Sequence, residues 1–320
     1  MSWVLWFGLA GAVDAAADEE EMVPAVVGVA PRVVPERWTL PPEVVSAVRA
    51  VRDRPLWERM AVASAPFLGL PYVNDAAGEG EGYDVDPPAR YDSFDCLTFV
   101  EEVLGVAMAA DPLYAPAIRD ALRYRGAPSY EDRRHFMEAE WIPDAIHNGL
   151  LVDITDRVGH ARTLEKVVTP DTWRSWRRRS IFHMPDARLP VGTWTLRYLD
   201  LAEAAAAVPL IPPGALIVTL RAERTGVPVV VTHISMVMPD GKMRHATRMG
   251  TKKVRDDRLL WYAEHLRDYV KWPSLGVTVL MPREQGPRIS ALTSARVGDA
   301  LADAEGPLPA FEPRPIPAFP

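Results

Sequence analysis

The chain has 320 residues, enough for one large domain or two small ones. A formal net charge of −7 argues against nucleic acid as the main partner, because such binding usually needs a basic face. The single cysteine excludes an intrachain disulfide framework, and no apolar run is long enough to span a bilayer as a helix.

Residues 1–17 hold an apolar run from Trp3 to Val13, followed by small residues at Ala15–Ala17. That is the length and ending of a signal-peptide apolar region, although the usual positive residues before it are missing. An exported, periplasmic protein is therefore expected, with residues 18–40 as an acidic and then Val/Pro-rich linker. From Pro41 to Pro66, Val44, Val45, Val48, Val51, Leu56, Met60 and Ala63 recur with helical spacing. Gly69-Leu70-Pro71-Tyr72-Val73 and a Gly- and Asp-rich loop over 74–90 then lead to the most informative stretch.

That stretch runs from Tyr91 to Glu102 and contains the cysteine, Cys96. Asp92, Ser93 and Asp95 precede it as cap-competent residues, and Leu97, Val100, Val103, Leu104, Ala107 and Met108 follow with helical spacing. Cys96 is thus expected in the first turn of a helix, where unpaired N–H groups and the helix dipole favour a thiolate. A cysteine so placed can have its pKa lowered enough to attack near neutral pH. A lone cysteine is more often a small buried apolar residue, so this stretch alone does not decide.

Residues 111–210 read as a mostly helical insert, with helices near 114–125, 130–147 and 198–207 and one short strand over Leu150–Thr155. Trp173 to Arg179 is basic and aromatic, and reads as a solvated helix face with its two tryptophans packed inward. The last third is strand-rich: Ala215–Leu220, Val227–Met238, a turn at Pro239–Lys242, Lys242–Thr247, a helix over 256–268 and a strand at Gly276–Met281. Residues 285–320 are Pro-rich and read as an extended or disordered tail. Helices first and antiparallel strands last predict an α+β fold, with one domain over 41–284.

Two histidines, His233 and His245, flank the predicted turn. A nucleophilic thiol needs a base within hydrogen-bond reach, and that base needs a third group to fix its tautomer. Side chains alternate along a strand, so a two-residue turn would put the histidines on opposite faces. A three-residue loop with Gly241 in the left-handed conformation puts both on one face, together with Ser235 and Val237. Zinc held by Cys96, His233 and His245 is the metal alternative, but the usual close-spaced ligand pairs are lacking, so no metal or cofactor is expected.

Taken together, Gly69-Leu70-Pro71-Tyr72, Phe94 to Glu101, Pro213 to Ile217, His233 to Val237 and Gly241 through Arg244-His245-Ala246 resemble the NlpC-type papain-like hydrolases of bacterial cell walls. Thr98-Phe99-Val100-Glu101 after the cysteine, and the long insert, are more similar to the N-acetylmuramoyl-L-alanine amidase-like branch. Three positions depart from the wider family's frequent pattern: Ala215, Thr232 and Ser235, where it often has an acidic residue, Asp and Gly.

The resemblance implies a papain-like core, a catalytic helix on an antiparallel sheet, spread over about 55–282. It also implies that Cys96 is the nucleophile, His233 the base and then the acid, and His245 the orienting group. The Cys96 N–H and Tyr72 are implied oxyanion or substrate-side groups, with Asp95 and Ser235 beside them; Tyr72 reads equally as a half-buried core residue. His135, Trp141, Asn148 and Asp153 are candidates for walling the cleft. The implied activity is hydrolysis of the amide between the lactyl group of N-acetylmuramic acid and L-alanine in peptidoglycan fragments, by a monomer. The alternatives are a stem-peptide endopeptidase cutting between D-glutamate and the diamino acid, and a non-catalytic peptidoglycan-binding protein on the same fold.

Overall fold

The structure, a computed structural model, describes residues 38–109 and 111–289. The signal-like start, most of the linker and all but the first few residues of the Pro-rich tail lie outside the described residues. The architecture is α+β: helices pack on an antiparallel sheet.

The helices are α1 (Pro42–Ala50), α2 (Leu56–Ser64), α3 (Cys96–Met108), α4 (Ala115–Arg123), α5 (Ile142–His147), α6 (Thr155–Val158), α7 (Pro170–Ser175), α8 (Leu201–Ala207) and α9 (Leu259–His265). The strands are β1 (Leu151–Asp153), β2 (Arg162–Val168), β3 (Gly192–Asp200), β4 (Leu216–Arg221), β5 (Val231–Val237), β6 (Lys242–Thr247), β7 (Lys253–Arg258) and β8 (Ser274–Pro282). The sheet runs β2-β3-β8-β4-β5-β6-β7, with β1 paired to β8.

α3 is the central helix. Every residue from Leu97 to Met108 is buried, as expected of a helix that is apolar nearly all round. It packs on β5 and β6 on one side and on α2 and α4 on the others. Its two acidic residues are matched inside: Glu101 accepts from Arg123 Nε at 2.8 Å and from Trp141 Nε1 at 3.0 Å, and Tyr91 Oη donates to Glu102 at 2.8 Å. Removing one member would strand a buried charge, so these contacts lock α3 to α4 and to the 137–141 segment. Gly105 permits the close approach of α4: a Cβ there would lie 2.8 Å from the Ala115 carbonyl oxygen. Gly105→Ala should therefore destabilise the protein by about 1–3 kcal/mol through overpacking. A denaturation midpoint unchanged from wild type would show that α4 yields without cost.

The insert differs from its expected, mostly helical character. Besides β1, it contributes β2 and β3, and β3 joins the main sheet through Leu199 and Asp200 opposite Val277 and Gly276. The alternation in β2 was masked by its chemistry. Arg162, Thr163 and Glu165 face solvent on an edge strand, and only Lys166 and Val168 are buried.

The β5–β6 hairpin has the three-residue loop that one-faced histidines require. Met238 N donates to Lys242 O at 2.7 Å, Gly241 N to Met238 O at 3.0 Å, and Gly241 has φ +74°. Met236 pairs with Arg244 and Val237 with Met243. Continuing that register puts His245 opposite Ser235, one diagonal step from His233 on the same face. β7 then pairs with β6 along its length, with His245 opposite Arg255 and Met243 opposite Asp257. Asp257 is therefore one further diagonal step along the same face.

Candidate active site

The start of α3 is built to hold Cys96 still. Asp95 is the N-cap: its Oδ1 accepts from Leu97 N at 2.8 Å and Thr98 N at 2.9 Å, while Thr98 Oγ1 accepts from Asp95 N at 3.1 Å. Asp95 Oδ2 also accepts from Ala76 N at 3.1 Å, tying the 74–90 loop to the helix start. Burial pushes the Asp95 carboxyl up to about 7, with these N–H groups pulling the other way.

Cys96 is half-buried, and its sulfur faces the backbone N–H of Ile234 on β5. Burial, followed by the neighbouring Asp95 charge, pushes the thiol up to about 12, against the pull of the Ile234 N–H and Arg248. This reverses the lowered thiol pKa expected at a helix start. The helix dipole is a fraction of a charge at a terminus, whereas taking a thiolate out of water costs more.

Next to Ile234 on the same strand stands His233. Its Nε2 lies 2.7 Å from His245 Nδ1, and His245 Nε2 lies 3.0 Å from Asp257 Oδ2. Arg255 donates to the same Asp257 oxygen through Nε at 3.0 Å and Nη2 at 2.7 Å. Burial works to raise the Asp257 carboxyl, but the hydrogen bonds from His245 and Arg255 outweigh it and hold the group below the usual range. An ionised Asp257 accepts only, so His245 carries its proton on Nε2 and accepts at Nδ1. His233 must then donate from Nε2, which leaves Nδ1 as its basic nitrogen. Both rings stay neutral at pH 7: burial, then His245 and two arginines, holds His233 well below the usual range, and burial outweighs Asp257 to lower His245.

Two tyrosines frame these groups. Tyr262, on α9, sets its ring edge-on to His245 at 6.0 Å and is anchored by a 2.8 Å hydrogen bond between its hydroxyl and Thr219 Oγ1. Tyr72 is half-buried, its backbone N donating to Lys252 O at 2.8 Å. Burial, then the Cys96 and Asp95 charges, raises its phenol, so it keeps a proton to donate.

A model of the AmiA-like family, described as N-acetylmuramoyl-L-alanine amidase-like, matches residues 62–268. The chain belongs to that family. The fold agrees with the match. A Legionella pneumophila protein superposes with a TM-score of 0.65 at 20% identity, over 75% of this chain and 93% of that one. An N-acetylmuramoyl-L-alanine amidase from Bacteroides uniformis superposes with a TM-score of 0.58 at 22% identity, over 71% and 99%. No curated protein matches the sequence.

The family match spans Cys96, His233, His245 and Asp257, but the other candidates fall in different places. Ser235 lies on the histidine face as expected but is fully buried there, its Oγ 3.5 Å from Ile217 O. Trp141 is a core residue rather than a cleft wall: it is fully buried, its indole N–H given to Glu101. Asn148 caps the end of α5, and its carbonyl accepts from Arg288 at 3.0 Å. His135 is buried with its ring against the Tyr130 carbonyl at 2.7 Å, and Asp153 caps Thr155 N at 2.8 Å. Polar and aromatic side chains of an insert thus serve its own packing. Asp257 and Tyr262 were missed in the sequence because the helix expected from 256 covered both. The hairpin parity, extended by one more strand, is the signal that finds Asp257.

Proposed function

We propose that the protein is a papain-like thiol amidase that releases the peptide from the lactyl group of N-acetylmuramic acid in peptidoglycan fragments. The observation that carries this is a capped Cys96 whose sulfur faces the Ile234 N–H, one residue along β5 from the start of the chain His233–His245–Asp257. Family membership supports the bond type. At rest both partners are neutral, so the thiol gives up its proton only as a bound carbonyl accepts the sulfur. His233 Nδ1 takes that proton, and the charge that appears on its ring is spread towards Asp257 through His245. The carbonyl oxygen becomes an oxyanion for the Cys96 N–H and the Tyr72 hydroxyl. His233 then hands its proton to the leaving L-alanine nitrogen, and water cleaves the thioester.

Mass spectrometry of defined muropeptides tests the bond. The expected products are free N-acetylmuramic acid and an intact stem peptide, with soluble fragments cut faster than intact wall. A stem cut after D-glutamate would replace this reading with the endopeptidase one.

A further inference from the structure

β5 is irregular immediately before His233. Thr219 pairs with His233, but the next residue of β4, Leu220, pairs with Val231. Thr232 is therefore the extra residue of a β-bulge. Val231 and Ile234 are both buried in the core that α3 shares, although strict alternation would put residues three apart on opposite faces. His233, between them, points the other way, to His245 and the Tyr262 ring. A bulge disrupts the ladder locally, so the backbone entering His233 depends on other holds.

Two side chains supply them. Arg221, anchored to Ser274 Oγ at 2.7 Å, donates from Nε to Thr232 Oγ1 at 3.2 Å. Glu138 Oε1 accepts from Val230 N at 2.6 Å. Glu138 belongs to the insert and lies in the π-helical turn Met137–Trp141, whose last residue bonds Glu101 of α3. The same turn thus braces the helix of Cys96 and the strand of His233 against each other. Turns of this kind are frequent at functional sites. Glu138 is also a costly residue in that place. It is buried, burial pushes its carboxyl up to about 7, and among the described residues its Oε2 has no hydrogen-bond partner. A buried carboxyl with one oxygen unmatched destabilises, and an apolar side chain would avoid that cost. What Glu138 adds is the acceptor for Val230 N.

We propose that Glu138 is a positioning residue for His233: from the Met137–Trp141 turn it fixes the bulged entry to β5, and so sets where the His233 ring stands relative to His245 and to α3. The effect on turnover rests on the amidase reading; the effect on the ring does not.

Three substitutions separate the hydrogen bond from the charge. Glu138→Gln keeps an acceptor oxygen without the charge. Glu138→Asp keeps the charge but is one methylene too short to reach Val230 N. Glu138→Met has neither and is similar in size. The ring nitrogens of His233 and His245 are followed by proton–nitrogen NMR at neutral pH. In wild type and Glu138→Gln, the proton on His233 Nε2 should keep the downfield shift of a short hydrogen bond. In Glu138→Asp and Glu138→Met that signal should move upfield as the bond to His245 lengthens. On a muropeptide, kcat should follow the same order: near wild type in Glu138→Gln, and on the order of 10²-fold lower in the other two with little change in KM, the loss a small misplacement can cause. Thermal melts identify a variant that is unfolded at the assay temperature, and Glu138→Asp and Glu138→Met each test the lost bond if the other does not fold. Ring signals unchanged in the folded short or apolar variant overturn the positioning role. So does a loss in Glu138→Gln as deep as in Glu138→Met, or a fall in kcat with the ring signals unmoved. A protein that cleaves no muropeptide would defeat the amidase reading and leave the ring signals to decide the role of Glu138.

Discussion

Cys96→Ala should abolish hydrolysis, and His233→Ala should do so nearly as completely, each with a fall in kcat on the order of 10⁴ or more. In the proposed mechanism the sulfur is the atom that forms the acyl bond, and the sequence has no second cysteine to replace it. His233 is the neighbouring ring with a basic nitrogen not committed to His245. The pH profile carries the sign of the shifts. Burial lowers His233, so it stays unprotonated below the usual histidine range, and kcat/KM should hold as pH falls through 6.5. The thiol is pushed up to about 12, so alkylation of Cys96 without substrate should climb through alkaline pH with no plateau near neutrality. A plateau at neutral pH would instead reveal a resting thiolate–imidazolium pair. Undiminished turnover by Cys96→Ala would end the thiol mechanism.

Asp257→Asn should lower kcat by roughly 10²–10⁴ with little change in KM, while leaving the fold intact. The reason is a lost charge rather than a changed tautomer. Arg255 holds the Oδ2 position with two N–H donors, so the amide oxygen of asparagine settles there and still accepts from His245 Nε2. The tautomers are kept, but the positive charge that His233 takes up in the proposed mechanism no longer has a carboxylate at the end of the chain. His245→Ala interrupts the same chain and should leave a residue of activity. Because the two act through one chain, the double variant should be scarcely worse than the more impaired single variant. Wild-type kcat in Asp257→Asn would show that the carboxylate charge does not serve the reaction.

The parts of this site that local rules govern were legible in the sequence. Cap-competent residues before an apolar run placed Cys96 in the first turn of α3, and the sequence named the condition for one-faced histidines, a three-residue loop with Gly241 left-handed, which the hairpin meets. What was not legible depended on neighbours distant in sequence. The thiol's raised pKa comes from burial against β5, about 138 residues later in the chain, so the helix start alone suggested the wrong sign. β7 was hidden because Lys253-Val254-Arg255-Asp256-Asp257-Arg258 has only one buried apolar residue, Val254. Its polar side chains are there for ion pairs: Arg255 with Asp257, and Asp256 with Arg244 on β6. Trp141 misled for the opposite reason, since an aromatic with a polar edge satisfies a buried carboxylate as readily as it stacks on a ligand.

The order of the sheet has a consequence for how the molecule comes into being. β8 is the last strand in the described chain, yet it lies between β3 and β4 at the middle of the sheet. A nascent chain that has already emerged through Asp257 carries Cys96, His233, His245 and Asp257 but still has a gap where its sheet should join. β3 has no partner on that flank until Ser274–Pro282 arrives, and β4 is paired only to β5. Pairing across such separations is slow, because a long loop must close before its contacts reward it. The order of synthesis therefore separates two events: the proposed catalytic residues are all made by residue 257, but the sheet that carries them closes only once the strand ending at 282 has paired.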